Sequence, residues 1–314
     1  MKKKCIILNI ILIILIIITT LYYIYQKIKY KYIKELFTDK KYKLFTDFLK
    51  SQRLVYNENE INTNKDYINY SKLVDKLLVK DKLSDISDIS DISDLHVAKV
   101  LRIYKNTSEI NIDNLPDKFV IKLNHWSGDT FVVNKEKIKD VDEFKTLIAN
   151  QFDDKLNQVY TDSHEYLYRY IKPQLFIEEF LNIDKIEYKF HVIHGKVIWI
   201  YIKNFETNKT NIYTKDWNEL DIDAHYNKER FKFNKPNNLN KIINIAELLA
   251  TKFNIDYARI DFYTVEKKIY FGEFTMTPHA LDYVIKPVEF DELLMKFYNT
   301  KKVDYNKINK YIRT

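Results

Sequence analysis

The chain is 314 residues long, enough for one large domain or two ordinary ones with a sizeable core. Its formal charge of +7 resides in Lys2, Lys3, Lys4, Lys27, Lys29, Lys31 and Lys34. The other 44 basic residues face 44 acidic ones, so the body lacks the basic excess that nucleic-acid binding requires. Three isolated glycines, Gly128, Gly195 and Gly272, leave no room for a dinucleotide fingerprint or a P-loop, and one cysteine, Cys5, excludes an intrachain disulfide or a cysteine metal cluster.

In chain order, Cys5 to Tyr25 is an uncharged run of 21 residues dominated by Ile and Leu, which as a helix spans about 30 Å. It predicts a single transmembrane helix. A cleaved signal peptide fits less well, because Thr19 and Thr20 lead into Leu21, Tyr22 and Tyr23 and not into a small-residue cleavage site. Three lysines precede the span and four follow it, which places the body on the cytosolic side. Residues 1–34 are therefore expected to form an anchor with basic flanks. Residues 35–115 read as a mostly helical region, interrupted by a low-complexity loop at 84–94 where Ser-Asp-Ile recurs with period three.

After Pro116 the texture changes. Lys118 to Asn124 predicts a strand, His125 to Thr130 a turn, and Phe131 to Val133 a returning strand. Asp140 with Glu143 three residues on opens a helix reaching about Leu156. Gln174 to Leu181 reads as a buried strand, and Glu187 to His194 with Lys196 to Lys203 as a hairpin turning at Gly195. A helix from about Asn240 to Phe253 precedes a second hairpin, Ala258 to Thr264 against Lys268 to Thr275. Pro287 precedes a last helix to about Tyr298, and 301–314 form a tail. Hairpins mixed with helices give an α+β class with largely antiparallel sheet.

Three constellations carry chemistry. A second hairpin centred at Lys267 sets Asp261 against Glu273 and Arg259 against Thr275, all four on one face. Opposed carboxylates repel unless something neutralises them. A divalent cation with hard oxygen ligands would do so; so would Arg259 and nearby lysines on a solvated strand face. Lys122 ends a strand before a polar turn, where its ammonium can reach phosphate oxygens or simply stay solvated. Glu187, Lys189 and His191 share one strand face, either as a ribose acceptor beside a phosphate-reaching cation or as a cross-strand ion pair.

Taken in order, these pieces resemble the ATP-grasp superfamily, and within it the TupA-like branch named for teichuronopeptide biosynthesis. The resemblance spans about Ser71 to Glu289. It rests on Asp75-Lys76, the run Leu115 to His125, Lys172-Pro, Ile177-Glu-Glu-Phe-Leu181, Glu187-Tyr-Lys-Phe190, Arg259-Ile-Asp261 and Tyr270 to Pro278.

The resemblance implies an ATP-grasp fold of two α+β subdomains, over residues 116–300, whose antiparallel sheets enclose the nucleotide. It implies that Lys76, Lys122 and Lys189 contact ATP phosphates, that Glu178, Glu179, Phe180 and Leu181 form the hinge reading adenine, and that Glu187 binds the ribose. Asp261 and Glu273 would hold Mg²⁺, and Arg259 would face the transferred phosphoryl group. Thr275 stands where the superfamily usually has an Asn metal ligand, and the glycine-rich lid is reduced to Trp126-Ser-Gly-Asp129. The implied activity is ATP-dependent activation of a carboxylate as an acylphosphate. Attack by an amine or other nucleophile follows, on small or polymeric partners of the cell surface. His125 and His279 are candidates for the acceptor site. A glycosyltransferase and a non-catalytic ATP-binding protein with the same fold are the competing readings. Asp221-Ile-Asp223 has the Asp-x-Asp spacing relevant to the former, but lies in a polar stretch outside the ligand-bearing region.

Overall fold

The computed structural model describes residues 15–25, 42–54, 65–86, 92–126, 128, 130–158, 166–224, 229–281 and 284–313. Among the described residues ten strands form two sheets: β1 (Leu95–Val97), β2 (Val100–Tyr104), β3 (Lys118–Leu123), β4 (Thr130–Asn134), β5 (Leu175–Glu179), β6 (Ile186–Ile193), β7 (Lys196–Asn204), β8 (Thr210–Tyr213), β9 (Tyr257–Val265) and β10 (Lys268–Thr275). The larger sheet runs β1-β10-β9-β6-β7-β8 and the smaller β2-β5-β3-β4. Every strand pairing is antiparallel except β1 with β10.

Each sheet buries one face against a helix. Phe119, Ile121, Leu123, Val133, Leu175 and Ile177 of the small sheet pack on Phe144, Ile148 and Phe152 of the helix Val141–Leu156. That helix begins where the sequence places it, since the Asp140 carboxylate accepts from the backbone N–H groups of Asp142 and Glu143. One face of the large sheet packs Phe190, Ile200, Ile260, Phe262 and Phe274 on the helix Leu239–Lys252. Its opposite face is divided. Trp199, Tyr201 and Tyr257 at one end are covered by Phe290 and Leu294 of the helix Val288–Thr300 and by Phe45 and Leu49 of the helix Phe45–Leu54. The other end carries Glu187, Asp261 and Glu273. The helix Phe45–Leu54 is pinned there by buried Asp291, which accepts from the Thr46 N–H at 3.0 Å and from the Thr46 hydroxyl.

One expectation is corrected, and one strand was not foreseen. The stretch read as helical up to about residue 110 contains β1 and β2, one joining each sheet. Their three and five residues are too short to show an alternating pattern. Strand β8 was also unforeseen, because all four of its residues are buried and no alternation marks it. For the expected membrane span, residues 15–25 are helical, and the rest of Cys5 to Tyr25 lies outside the described residues. Among the described residues no helix is long and apolar enough to cross a membrane. Residues 87–91 of the Ser-Asp-Ile stretch are likewise outside them.

The second hairpin reaches the expected register by an unexpected route. Its turn is the two residues Glu266 and Lys267, both at positive φ (49° and 69°), as a two-residue hairpin turn with a type I′ twist requires. Near the turn Lys268 pairs with Val265 and Phe271 with Phe262. Continued unbroken, that register would set Asp261 against Gly272. A bulge between Phe271 and Glu273 shifts it by one residue, so Glu273 faces Asp261 and Thr275 faces Arg259. Gly272 is the inserted residue. A Cβ there would lie 2.8 Å from the Tyr263 ring and 2.9 Å from the Asp261 carbonyl oxygen, and the latter is backbone that cannot yield. Gly272→Ala is accordingly expected to destabilise the fold by about 1–3 kcal/mol, the cost of overpacking. Urea denaturation compared with wild type measures it, and an unchanged midpoint would remove the steric argument.

Candidate functional site

The site starts from three adjacent strands. Register pairs Lys189 with Asp261, Glu187 with Tyr263 and His191 with Arg259 across β6 and β9, while Asp261 faces Glu273 across β9 and β10. Side chains of one parity therefore converge on one sheet face.

Asp261 is fully buried, and both of its oxygens are engaged. Arg259 donates from Nε to Oδ1 at 2.8 Å and from Nη2 to Oδ2 at 2.7 Å, and Lys189 Nζ donates to Oδ2 at 2.8 Å. Such paired, charge-assisted contacts are among the strong ones. The same Arg259 Nη2 reaches Glu273 Oε1 at 3.1 Å and Thr275 Oγ1 at 3.0 Å, and the Thr275 hydroxyl donates to Glu273 Oε1 at 3.0 Å. Lys189 also binds Glu187 Oε2 at 2.8 Å, whose other oxygen accepts from the Tyr263 hydroxyl at 2.8 Å. Burial pushes the Asp261 carboxyl up, but Arg259 and Lys189 outweigh it and hold the group below its ordinary value. Burial, and then Arg259, press His191 well below the usual histidine range, so it is neutral. Its Nδ1 lies 3.0 Å from the Tyr257 hydroxyl and its ring stacks on Trp199 at 4.2 Å. Among the described residues its buried Nε2 has no hydrogen-bond partner.

The small sheet contributes a second group of charges. Lys122 on β3 and Glu178 on β5 share a face and form an ion pair. Glu178 Oε2 also takes Lys80 at 2.9 Å, and Lys80 donates to the Ala98 carbonyl. Burial raises the Glu178 carboxyl, and the two lysines more than offset it, leaving it below its ordinary value. Glu179 accepts from the Lys99 N–H at 2.8 Å, Phe180 lies under Lys118 at 5.8 Å, and 180–185 link β5 of one sheet to β6 of the other.

Lys76 reaches the first group from a separate segment. Its ammonium donates to the Trp126 carbonyl at 2.7 Å, sits 3.9 Å from Glu273 Oε2, and lies over the Tyr168 ring. Local geometry aims it. Asp75 accepts from the N–H groups of Leu77 and Leu78 and from the Asn124 amide, and Asn124 in turn holds the Lys172 carbonyl and the Gln174 N–H. Three separate sequence markers, Asp75-Lys76, Asn124 and Lys172-Pro, thus form one hydrogen-bonded knot. His125 beside it is buried, with Nε2 3.0 Å from the Lys155 carbonyl, a structural role. Ser127 and Asp129 of the reduced lid lie outside the described residues.

Two oxygen-donor carboxylates and a hydroxyl suit a hard cation such as Mg²⁺. Among the described residues no group of three His, Cys, Asp or Glu could hold a metal. Asp261, Glu273 and Thr275 would have to share it with phosphate oxygens and water.

Residues 50–298 match the model of the family described as TupA-like ATPgrasp. The chain belongs to that family. A comparison with curated proteins gives no match. Solved structures similar to it include a D-alanine–D-alanine ligase from Bacillus anthracis complexed with ATP. Identity is 16% and TM-score 0.42, over 78% of this chain and 65% of that one, which is under two thirds of its length. An L-amino acid ligase from Bacillus licheniformis is similar at 12% identity and TM-score 0.46, over 80% of this chain and 55% of that one. A RiPP-associated ATP-grasp ligase from Chryseobacterium gregarium, in complex with ADP and a leader and core peptide, gives 14% and 0.41, over 75% and 62%.

Sequence reading missed Lys80. It lies four residues after Lys76, one helical turn on, and that spacing was the available signal. Lys80→Met is expected to cost about 1.5–3 kcal/mol at neutral pH by removing a buried charge-assisted bond from Glu178. Because the folded Glu178 carboxyl lies below its unfolded value of about 4.3, the contribution is present above that pH and lost as pH falls through the folded value. The wild-type and variant stability curves should therefore run parallel at neutral pH and converge in acid; a constant gap down to full protonation would contradict the pairing.

Proposed function

We propose that this chain is a membrane-anchored, ATP- and Mg²⁺-dependent ligase that activates a carboxylate as an acylphosphate and joins it to an amine or another nucleophile. The observation that carries the reading is the opposed Asp261–Glu273 pair with Arg259 on the same sheet face. Of two cations from other segments, Lys76 stands near Glu273 and Lys122 pairs with the hinge carboxylate Glu178.

In this reading the segment Glu178 to Leu181 receives adenine, Glu187 takes the ribose hydroxyls, and Lys76, Lys122 and Lys189 bind phosphates. Asp261 and Glu273 would hold Mg²⁺, which when bound neutralises phosphate charge and orients the transferred group. Arg259 donates to the oxygens of that group as charge develops on them. The carboxylate takes the γ-phosphoryl group, ADP leaves, and the nucleophile then displaces inorganic phosphate, so no protein nucleophile is needed. Trp126, packed against both the main core and the small-sheet core, is suited to exclude water from the acylphosphate.

The substrates in this reading belong to a cell-surface polysaccharide or peptide polymer. The anchor belongs to the same reading. In residues 15–25 the Thr19 and Thr20 hydroxyls donate back to the carbonyls of Leu15 and Ile16, so neither threonine would present an unmet hydroxyl to lipid. The four lysines after Tyr25 favour a cytosolic body, where ATP is available.

Phosphate release from ATP in the presence of candidate acids and amines tests the chemistry. Asp261→Asn should abolish metal-dependent turnover, and Lys122→Ala should weaken ATP binding by about 1.5–3 kcal/mol. ATP binding with no turnover on any acid would favour a non-catalytic protein, and transfer from a nucleotide sugar would favour a glycosyltransferase. For the anchor, deletion of residues 1–34 stops before the pinned helix Phe45–Leu54 and should release a soluble body that still binds ATP. Protease added outside sealed right-side-out vesicles should leave the body intact. Digestion there would reverse the orientation.

A further inference from the structure

We propose that Arg259 and Lys189 are built-in counter-cations that keep the Asp261–Glu273 pair closed to free divalent cations and yield it only to one arriving with a nucleotide. The inference rests on the ligase reading above and goes beyond it, because it assigns these two residues a role before any substrate is bound.

The geometry supplies the argument. Both oxygens of Asp261 accept from cations, Oδ1 from Arg259 and Oδ2 from Arg259 and Lys189. Glu273 Oε1 accepts from Arg259 and from the Thr275 hydroxyl, which leaves Oε2, with Lys76 3.9 Å away, as the less committed oxygen of the pair. Charge is balanced within the cluster: Asp261, Glu273 and Glu187 face Arg259, Lys189 and Lys76. A lone dication entering would have to break the two-point Arg259–Asp261 contact and would strand two cationic side chains that are about nine-tenths buried.

A nucleotide changes the balance. Its phosphate oxygens are acceptors for the guanidinium and the ammonium, so each cation exchanges a carboxylate for a phosphate and is never left unpaired. The carboxylate oxygens freed by that exchange are then available to the metal. Metal and nucleotide affinities are coupled through these two side chains, and the coupling must be reciprocal.

Mn²⁺ titration of the purified full-length protein, followed by electron paramagnetic resonance with and without ADP, tests this; calorimetry of ADP binding runs in parallel. In wild type Mn²⁺ should bind between about 5- and 150-fold more tightly with ADP than without it, the usual range of such coupling. Arg259→Gln, and independently Lys189→Met, should raise the nucleotide-free Mn²⁺ affinity and narrow the ratio, with circular dichroism verifying the fold of each. Equal Mn²⁺ affinity with and without ADP in wild type, or unchanged nucleotide-free affinity in both folded variants, overturns the proposal while leaving the ligase reading in place. Failure of ADP to bind wild type at all overturns the ligase reading and this inference with it.

Discussion

Everything in the candidate site depends on keeping one fully buried carboxylate, Asp261, charged. An ion removed from water on the middle strand of a sheet is stable only if its attraction to neighbours repays the desolvation. Two strands supply that attraction: β9 carries Arg259 beside Asp261 and β6 sets Lys189 opposite it, while Glu273 on β10 competes for the Arg259 guanidinium. The pairing of β9 with β6 is therefore as much an electrostatic requirement as a topological one.

The same sheet face serves two purposes. Going along β6 from Glu187 through Lys189 to His191, the surroundings pass from ion pairs to a ring stacked on Trp199, and then to the core beneath Phe290. The helices Phe45–Leu54 and Val288–Thr300 cover only the second half. On the small sheet, Lys122 and Glu178 lie on the face opposite its helix-packed core, where Lys80 of the helix Leu78–Ser84 pairs with Glu178.

Much of this was legible in the sequence because alternation fixes side-chain direction. Glu187, Lys189 and His191, or Arg259 and Asp261, can be assigned to one face by counting in twos. The Asp140 cap and the Pro287 boundary were equally readable, since each acts within one turn of chain. What could not be read was what depends on distant partners. The bulge at Gly272 needs the positions of Tyr263 and the Asp261 carbonyl to explain it, and centring the hairpin on Lys267 reproduced the register at Asp261 without it. Strands β1, β2 and β8 are strands because of what they pair with, and Lys80 acquires its role only from Glu178, 98 positions away in the chain.

Thr275 illustrates how a departure from the family pattern can be absorbed. Its hydroxyl accepts from Arg259 Nη2 and donates to Glu273 Oε1, both at 3.0 Å, so it closes a three-membered circuit of guanidinium, hydroxyl and carboxylate. An asparagine at that position would add a carbonyl oxygen able to ligate a cation directly. The threonine instead spends its one donor on fixing Glu273. Its contribution in this geometry is to orient a carboxylate, and any cation held between Asp261 and Glu273 would draw correspondingly more of its coordination from phosphate oxygens and water. In the proposed reading, that dependence on the nucleotide would run in the same direction as the engagement of Asp261 by Arg259 and Lys189: both would leave the carboxylate pair a weak site alone and a complete one only with phosphate present.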